Sequence, residues 1–265
     1  MIWFDGTIRP DGPIPLDPGD RGLLLGDGVF ETVGVFHRKP FALADHLESL
    51  AAGAAALGFA VPMAMVEQAV ADLVAAMAAP HGALRITVSR GVGQRGLAPP
   101  ADPKPVVLAG LSPWTPAMAG VPVRLATVAI RRNESSPLSR LKSLAYLDNV
   151  LMLAQARDKG ADDALVLNTQ GRVTGSAMAN LFMIKNGTVV TPPVSEGLRP
   201  GIMRTVAIRL FDAIERPIDP EDLDGAALFL TNSLRLLSPV MELDGRAMTP
   251  LAPDYAAKTL AACGL

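Results

Sequence analysis

Residues 84–91, Leu84-Arg85-Ile86-Thr87-Val88-Ser89-Arg90-Gly91, alternate apolar and polar side chains, as a strand with one buried face does. The same reading places strands at 1–5 (turning at Asp5-Gly6), 29–36, 106–109, 121–130, 164–167 and 226–231. Residues 179–185 and 188–191 form a hairpin about Asn186-Gly187, a strong two-residue turn signal. Longer alanine-rich periods predict helices at 45–57 with Asp45 as N-cap, at 64–78 ending near Pro80, and at 144–159 closed by Gly160. Two more are predicted, from Pro200 to about 214 and over 253–262, since proline suits the first helical turn. Proline-rich 9–18 reads as a loop. The composition of Ser112-Pro113-Trp114-Thr115-Pro116 reads as a linker.

Strands and helices mix in both halves, so the class is α/β (α+β) in two domains. A small N-terminal domain covers 1–112, a linker 113–120, and a larger C-terminal domain 121–265.

Composition narrows the function. The chain has 265 residues, 49% hydrophobic, a net charge of -2 and a pI near 5.9. Its length supports a sizeable core, and its charge gives no footprint for nucleic acid or an anionic membrane. One cysteine, Cys263, excludes an internal disulfide, and no zinc-ligand spacing is present. No basic-then-apolar leader and no membrane-length apolar run are found, so a cytoplasmic protein with a small-molecule substrate is expected.

Among the six lysines, Lys142 alone lies between leucines, Leu141 and Leu144, with only Ser143 intervening. An ammonium in an apolar setting is costly to keep charged, which lowers its pKa and frees a nucleophilic amine. The alternative is a packed stem whose head snorkels to water.

Several segments decide between these. They are Asp20-Arg21-Gly22 with Gly26-Asp27-Gly28-Val29-Phe30-Glu31-Thr32, the 85–91 strand, Leu141-Lys142-Ser143 through Tyr146-Leu147-Asp148-Asn149, residues 161–168, Ala179-Asn180-Leu181-Phe182, Thr191-Pro192-Pro193 and Gly201-Ile202-Met203-Arg204. In this order they resemble the class IV aminotransferases, the fold type IV pyridoxal phosphate enzymes. Within that family the length and the 231–240 stretch look most like 4-amino-4-deoxychorismate lyase, with D-amino acid and branched-chain aminotransferases as rivals. A cofactor-free relative that binds a small acidic metabolite, or runs other chemistry with Lys142 as acid or base, is a third reading.

The resemblance implies a homodimer with pyridoxal 5'-phosphate as cofactor. Lys142 would bond to the cofactor aldehyde and shuttle a proton at the substrate carbon next to nitrogen. The N–H groups of Ile202 and Met203 at a helix start would hold the phosphate, with hydroxyls from Thr231 and Ser233. Tyr146 would meet the ring hydroxyl. Glu31, Arg90 and Arg95 would face the substrate, arginines being suited to carboxylates.

Two positions depart from the family pattern. In His46-Leu47-Glu48-Ser49-Leu50, Ser49 stands where the family places an arginine for the phosphate. Gly175, five residues before Asn180, stands where it places a glutamate for the pyridine nitrogen. Thr174 and Ser176 are the flanking hydroxyls that could meet a neutral nitrogen instead.

Overall fold

The computed structural model describes residues 1–9 and 13–265; residues 10–12 of the expected proline-rich loop lie outside the described residues. The chain divides into two compact units. The first comprises Met1–Thr115 and Leu141–Tyr146, the second Pro116–Arg140 and Leu147–Leu265.

The first unit contains β1 (Ile2–Phe4), β2 (Thr7–Arg9), α1 (Arg21–Leu25), β3 (Gly28–Phe36), β4 (Lys39–Pro40), α2 (Leu43–Ala56), α3 (Met63–Ala75), β5 (Gly82–Ser89) and β6 (Val106–Pro113). Among the described residues its strands form one antiparallel sheet in the order β2-β1-β6-β5-β3-β4. Alternation sends Val29, Val33 and Val35 of β3 and Leu84, Ile86 and Val88 of β5 into a core with Leu50 of α2 and Val66, Val70 and Leu73 of α3. Helix α2 starts after Ala42, which is left-handed at φ 49°, so Asp45 lies in the first turn and does not cap it.

Two sequence expectations change here. Strand β6 is longer than expected: Ser112 pairs with Ala83, Pro113 with Gly82, and buried Trp114 packs on Phe36 at 4.7 Å. Residues 112–114 are therefore strand and core, not linker, and proline is tolerated as the last strand residue. The helix expected from residue 144 begins at Leu147, because residues 142–144 are extended against β3. Phe30 N–H donates to the Lys142 carbonyl and Leu144 N–H to the Gly28 carbonyl, each at 2.9 Å. This pairing groups Lys142 with the first unit, whereas the sequence reading placed it with the C-terminal half.

The second unit contains β7 (Val123–Thr127), α4 (Leu147–Asp158), β8 (Asp163–Leu167), β9 (Val173–Ser176), β10 (Asn180–Lys185), β11 (Thr188–Thr191), α5 (Ile202–Phe211), β12 (Ile214–Glu215), β13 (Ala227–Asn232), β14 (Leu236–Leu243), β15 (Arg246–Ala247) and α6 (Pro253–Ala262). Its sheet runs β12-β11-β10-β13-β14-β7-β8-β9, with β15 beside β14. Strand β7 is parallel to both β14 and β8, and the pairs β10–β13 and β13–β14 are antiparallel. The β10–β11 hairpin turns at Asn186 (φ 53°) and Gly187 (φ 77°), both left-handed as a type I′ turn requires. Met152 and Ala156 of α4 cover Ala164 and Val166, while α5 and α6 lie over stacked Phe182 and Phe229. Helix α5 ends at Phe211, three residues before the expected stop, because Asp212 turns left-handed at φ 50°.

Candidate active site

In the first unit, the extended pairing to β3 fixes the backbone from the Lys142 carbonyl to the Leu144 N–H. Its half-buried side chain lies with Nζ 4.4 Å from the Phe30 ring centroid and 5.6 Å from that of Tyr146. Phe30 and Tyr146 meet edge to face at 5.2 Å. The apolar surroundings expected from Leu141 and Leu144 are thus supplied largely by two aromatic rings, whose faces attract a cation without solvating it as water does.

The expected substrate-facing residues fare differently. Glu31 follows Val29 and precedes Val33 on the inward face of β3, and it is 1% exposed. Its carboxylate meets His46 Nδ1 at 2.8 Å through Oε2 and accepts from Ser49 Oγ at 2.9 Å through Oε1. Glu31 is therefore placed in the sheet–helix interior, and Ser49 is bonded to it. Arg90 is also interior. It donates to Asp27 Oδ2 at 2.8 Å and to the carbonyls of Leu57 and Gly58, and it lies over Phe59 at 4.9 Å. Arg90 is thus a tie between β5 and the end of α2 rather than a substrate anchor. Asp27 accepts from Arg21 as well, at 2.8 Å. Burial alone would raise the Asp27 carboxyl, but hydrogen bonds from Arg90 and Arg21 and their charges hold it below its ordinary value. Arg95 is exposed, in a loop whose neighbouring carbonyls of Gly96, Leu97 and Ala98 accept from Arg21.

The sequence reading missed Arg85. It is exposed, on the same sheet face as Phe30, with its guanidinium carbon 3.8 Å from that ring's centroid. Desolvation lowers its pKa from the ordinary value, with Tyr146 pulling the other way. Among the described residues no carboxylate pairs with it. The available signal was the alternation itself, which sets Arg85 and Thr87 opposite the buried Leu84, Ile86 and Val88.

In the second unit, α5 begins at Gly201 with no side-chain cap, which leaves the N–H groups of Ile202 and Met203 at a positive helix end. A Cβ on Gly201 would meet the Asn180 amide oxygen, so a larger residue there would have to displace that side chain. Asn180 is the register partner of Thr231. Thr231 is 2% exposed and its Oγ1 has no hydrogen-bond partner among the described residues. A buried hydroxyl without a partner beside an uncapped helix start suits an anion. Ser233 is half-buried in the turn that follows, where Asn232 Oδ1 accepts from the N–H groups of Leu234 and Arg235.

Gly175 also borders this region: a Cβ on it would lie 3.7 Å from Asn180 Cα and Leu181 N, and 2.9 Å from the Ala179 carbonyl oxygen. Its φ of 149° is a conformation that side chains rarely adopt. Both flanking hydroxyls are engaged. Thr174 Oγ1 donates to the Val166 carbonyl at 3.0 Å, and Ser176 Oγ donates to Asp163 Oδ2 at 2.8 Å. Burial raises the Asp163 carboxyl from its ordinary value, against hydrogen bonds from Ala164 N–H, Ser176 and Ala177 N–H.

The class IV aminotransferase family profile matches residues 28–243. The chain belongs to the class IV aminotransferase family. The family's enzymes are pyridoxal phosphate-dependent aminotransferases and lyases. A Methanocaldococcus jannaschii protein, provisionally named a branched-chain-amino-acid aminotransferase, is 33% identical over 93% of this chain and 89% of its own. The 4-amino-4-deoxychorismate lyase of Pseudomonas aeruginosa is 30% identical, with a TM-score of 0.85 over 98% of this chain and 97% of its own. The branched-chain aminotransferase of Thermoproteus uzoniensis, solved with norvaline, is 25% identical with a TM-score of 0.89, covering 98% and 92%.

Each unit, taken by itself, offers a group of a kind that the family cofactor uses. An amine is presented at Lys142, and a phosphate-sized anion suits the α5 start with Thr231. The ring nitrogen does not find an acid, since Gly175 offers none and its neighbouring hydroxyls are engaged.

Among the described residues no helix is long and apolar enough to cross a membrane, and no cluster of ligating side chains could hold a metal ion.

Proposed function

We propose that the chain is a pyridoxal phosphate-dependent enzyme acting at the amine-bearing carbon of a carboxylate substrate, with cleavage of 4-amino-4-deoxychorismate to pyruvate and 4-aminobenzoate as its leading reaction. The observation that carries the reading is Lys142, backbone-fixed against β3 and set over Phe30 and Tyr146. The cofactor, when bound, supplies an aldehyde carbon and a conjugated ring that accepts electron density. Lys142 Nζ would hold that carbon and carry the proton to and from the substrate carbon. The N–H groups of Ile202 and Met203 and the Thr231 hydroxyl would hold the phosphate. Arg85, paired with no carboxylate among the described residues, would hold a substrate carboxylate. The likeness to the Pseudomonas lyase supports the lyase assignment.

Purified protein incubated with pyridoxal phosphate is expected to develop a visible absorbance band that borohydride bleaches and Lys142→Ala abolishes. A protein that stays colourless overturns the reading. Amino-group transfer is the second reading, supported by the Methanocaldococcus and Thermoproteus relatives. Pyruvate release from aminodeoxychorismate without an added 2-oxo acid selects the lyase; product that requires a 2-oxo acid selects transfer.

The proposal includes a cytoplasmic homodimer. Leu147, Val150, Leu151 and Ala154 form an exposed apolar stripe along α4, which supports a second copy.

A further inference from the structure

The groups left to meet an anion at the α5 start are the Ile202 and Met203 N–H groups and the Thr231 hydroxyl, all neutral donors, while Arg204 of the same turn donates to the Pro192 carbonyl and Glu215. In pyridoxal phosphate the ring nitrogen is separated by one ring carbon from the carbon that bears the phosphate arm. A phosphate at Gly201–Met203 and Thr231 therefore leaves the nitrogen to be met by groups that border that start. Gly175 brings only backbone. Thr174 Oγ1 has given its hydrogen to Val166, and Ser176 Oγ has given its own to Asp163 while accepting from the N–H groups of Met178 and Ala179. The Asn180 amide donates to the Arg199 carbonyl. The buried carboxylates of the unit are also engaged. Asp163 accepts from Ala164, Ala177 and Ser176, and Glu196 from Asn168 and Arg172. A buried base protonates when an anion stands beside it, and among the described residues that border the α5 start no carboxylate is left for that role.

We infer that this chain binds pyridoxal phosphate with the ring nitrogen unprotonated, which makes the ring a weak electron sink and suits the site to elimination. In an elimination Lys142 Nζ would take the proton while the C–H electron pair formed a carbon–carbon double bond and the leaving group departed with the pair of its own bond, so less electron-sink chemistry would be asked of the cofactor than in amino transfer. The inference rests on the proposed use of the cofactor and deepens its lyase reading.

The test uses the full wild-type chain loaded with cofactor labelled with nitrogen-15 in the ring. The expected spectrum shows the downfield resonance of a pyridine-type nitrogen, unchanged between pH 8 and pH 6. An upfield, pyridinium-type resonance at pH 7 overturns this inference while leaving the cofactor reading intact. Failure to take up any cofactor overturns both. An analogue with carbon in place of the ring nitrogen gives an independent readout by affinity. It is expected to bind within about threefold of the cofactor, and a loss of about tenfold or more, roughly one good hydrogen bond, overturns the inference.

Discussion

Ser49 donates to Glu31 Oε1 at 2.9 Å, on the carboxylate whose other oxygen meets His46. The residue in the place of the family's phosphate arginine is thereby joined to a buried acid. Ser49→Ala removes a donor from an interior carboxylate and is expected to destabilise the fold by about 1–3 kcal/mol. Urea unfolding will show a lower midpoint at unchanged slope. Cofactor affinity will stay within about twofold, well under the 1.4 kcal/mol of a tenfold change.

Thr231 gives the opposite pattern. Its hydroxyl is buried without a partner, so Thr231→Val, which keeps the shape, is expected to leave the cofactor-free protein as stable or slightly more stable. The same change removes a donor to a dianion and is expected to weaken pyridoxal phosphate binding by roughly 10- to 100-fold. Thermal unfolding without cofactor and a cofactor titration read the two effects separately. A variant with unchanged affinity removes Thr231 from the phosphate site.

Asp27 joins Arg21 and Arg90, whose side chains are almost fully buried. Its folded pKa lies below the ordinary value, so the ionised form stabilises the fold above that value and the contribution is lost as pH falls through the folded one. Asp27→Asn leaves two interior guanidinium groups short of their counter-charge and is expected to cost about 3–5 kcal/mol at pH 7. The gap from wild type will narrow as the pH is taken below the ordinary carboxyl value of 3.8. Denaturant unfolding at pH 7 and pH 3 checks this.

Arg85→Gln is expected to raise KM for a carboxylate substrate about tenfold or more with little change in kcat, since the charge-assisted contact is made in both ground and transition states. A fall in kcat at unchanged KM would remove Arg85 from substrate binding.

The sequence carried the strands and helices well where periodicity was local. The alternation over 84–91 and the Asn186-Gly187 turn both stand in the structure, while the cofactor roles of Lys142 and Thr231 came from the resemblance alone. Other features depend on partners far along the chain. Leu144 reads as the start of a helix and is instead held extended by a strand formed over a hundred residues earlier. Arg90 precedes a glycine at a strand end, where the chain turns it inward onto Asp27, so a lone arginine read as a substrate anchor is a structural tie. The backbone angle at Gly175 has no local signature. Glu31 was readable in principle, because it shares the inward parity of Val29, Val33 and Val35.

The polypeptide changes unit at 115/116, changes back at 140/141 and leaves again at 146/147. Any gene split near residue 116 would therefore leave the Lys142 amine on one product and β3 on the other. Neither half could be made separately with that nitrogen in its native setting. Reconstituting the protein from two fragments would require a six-residue stretch of one to pair with a strand of the other before any chemistry could begin.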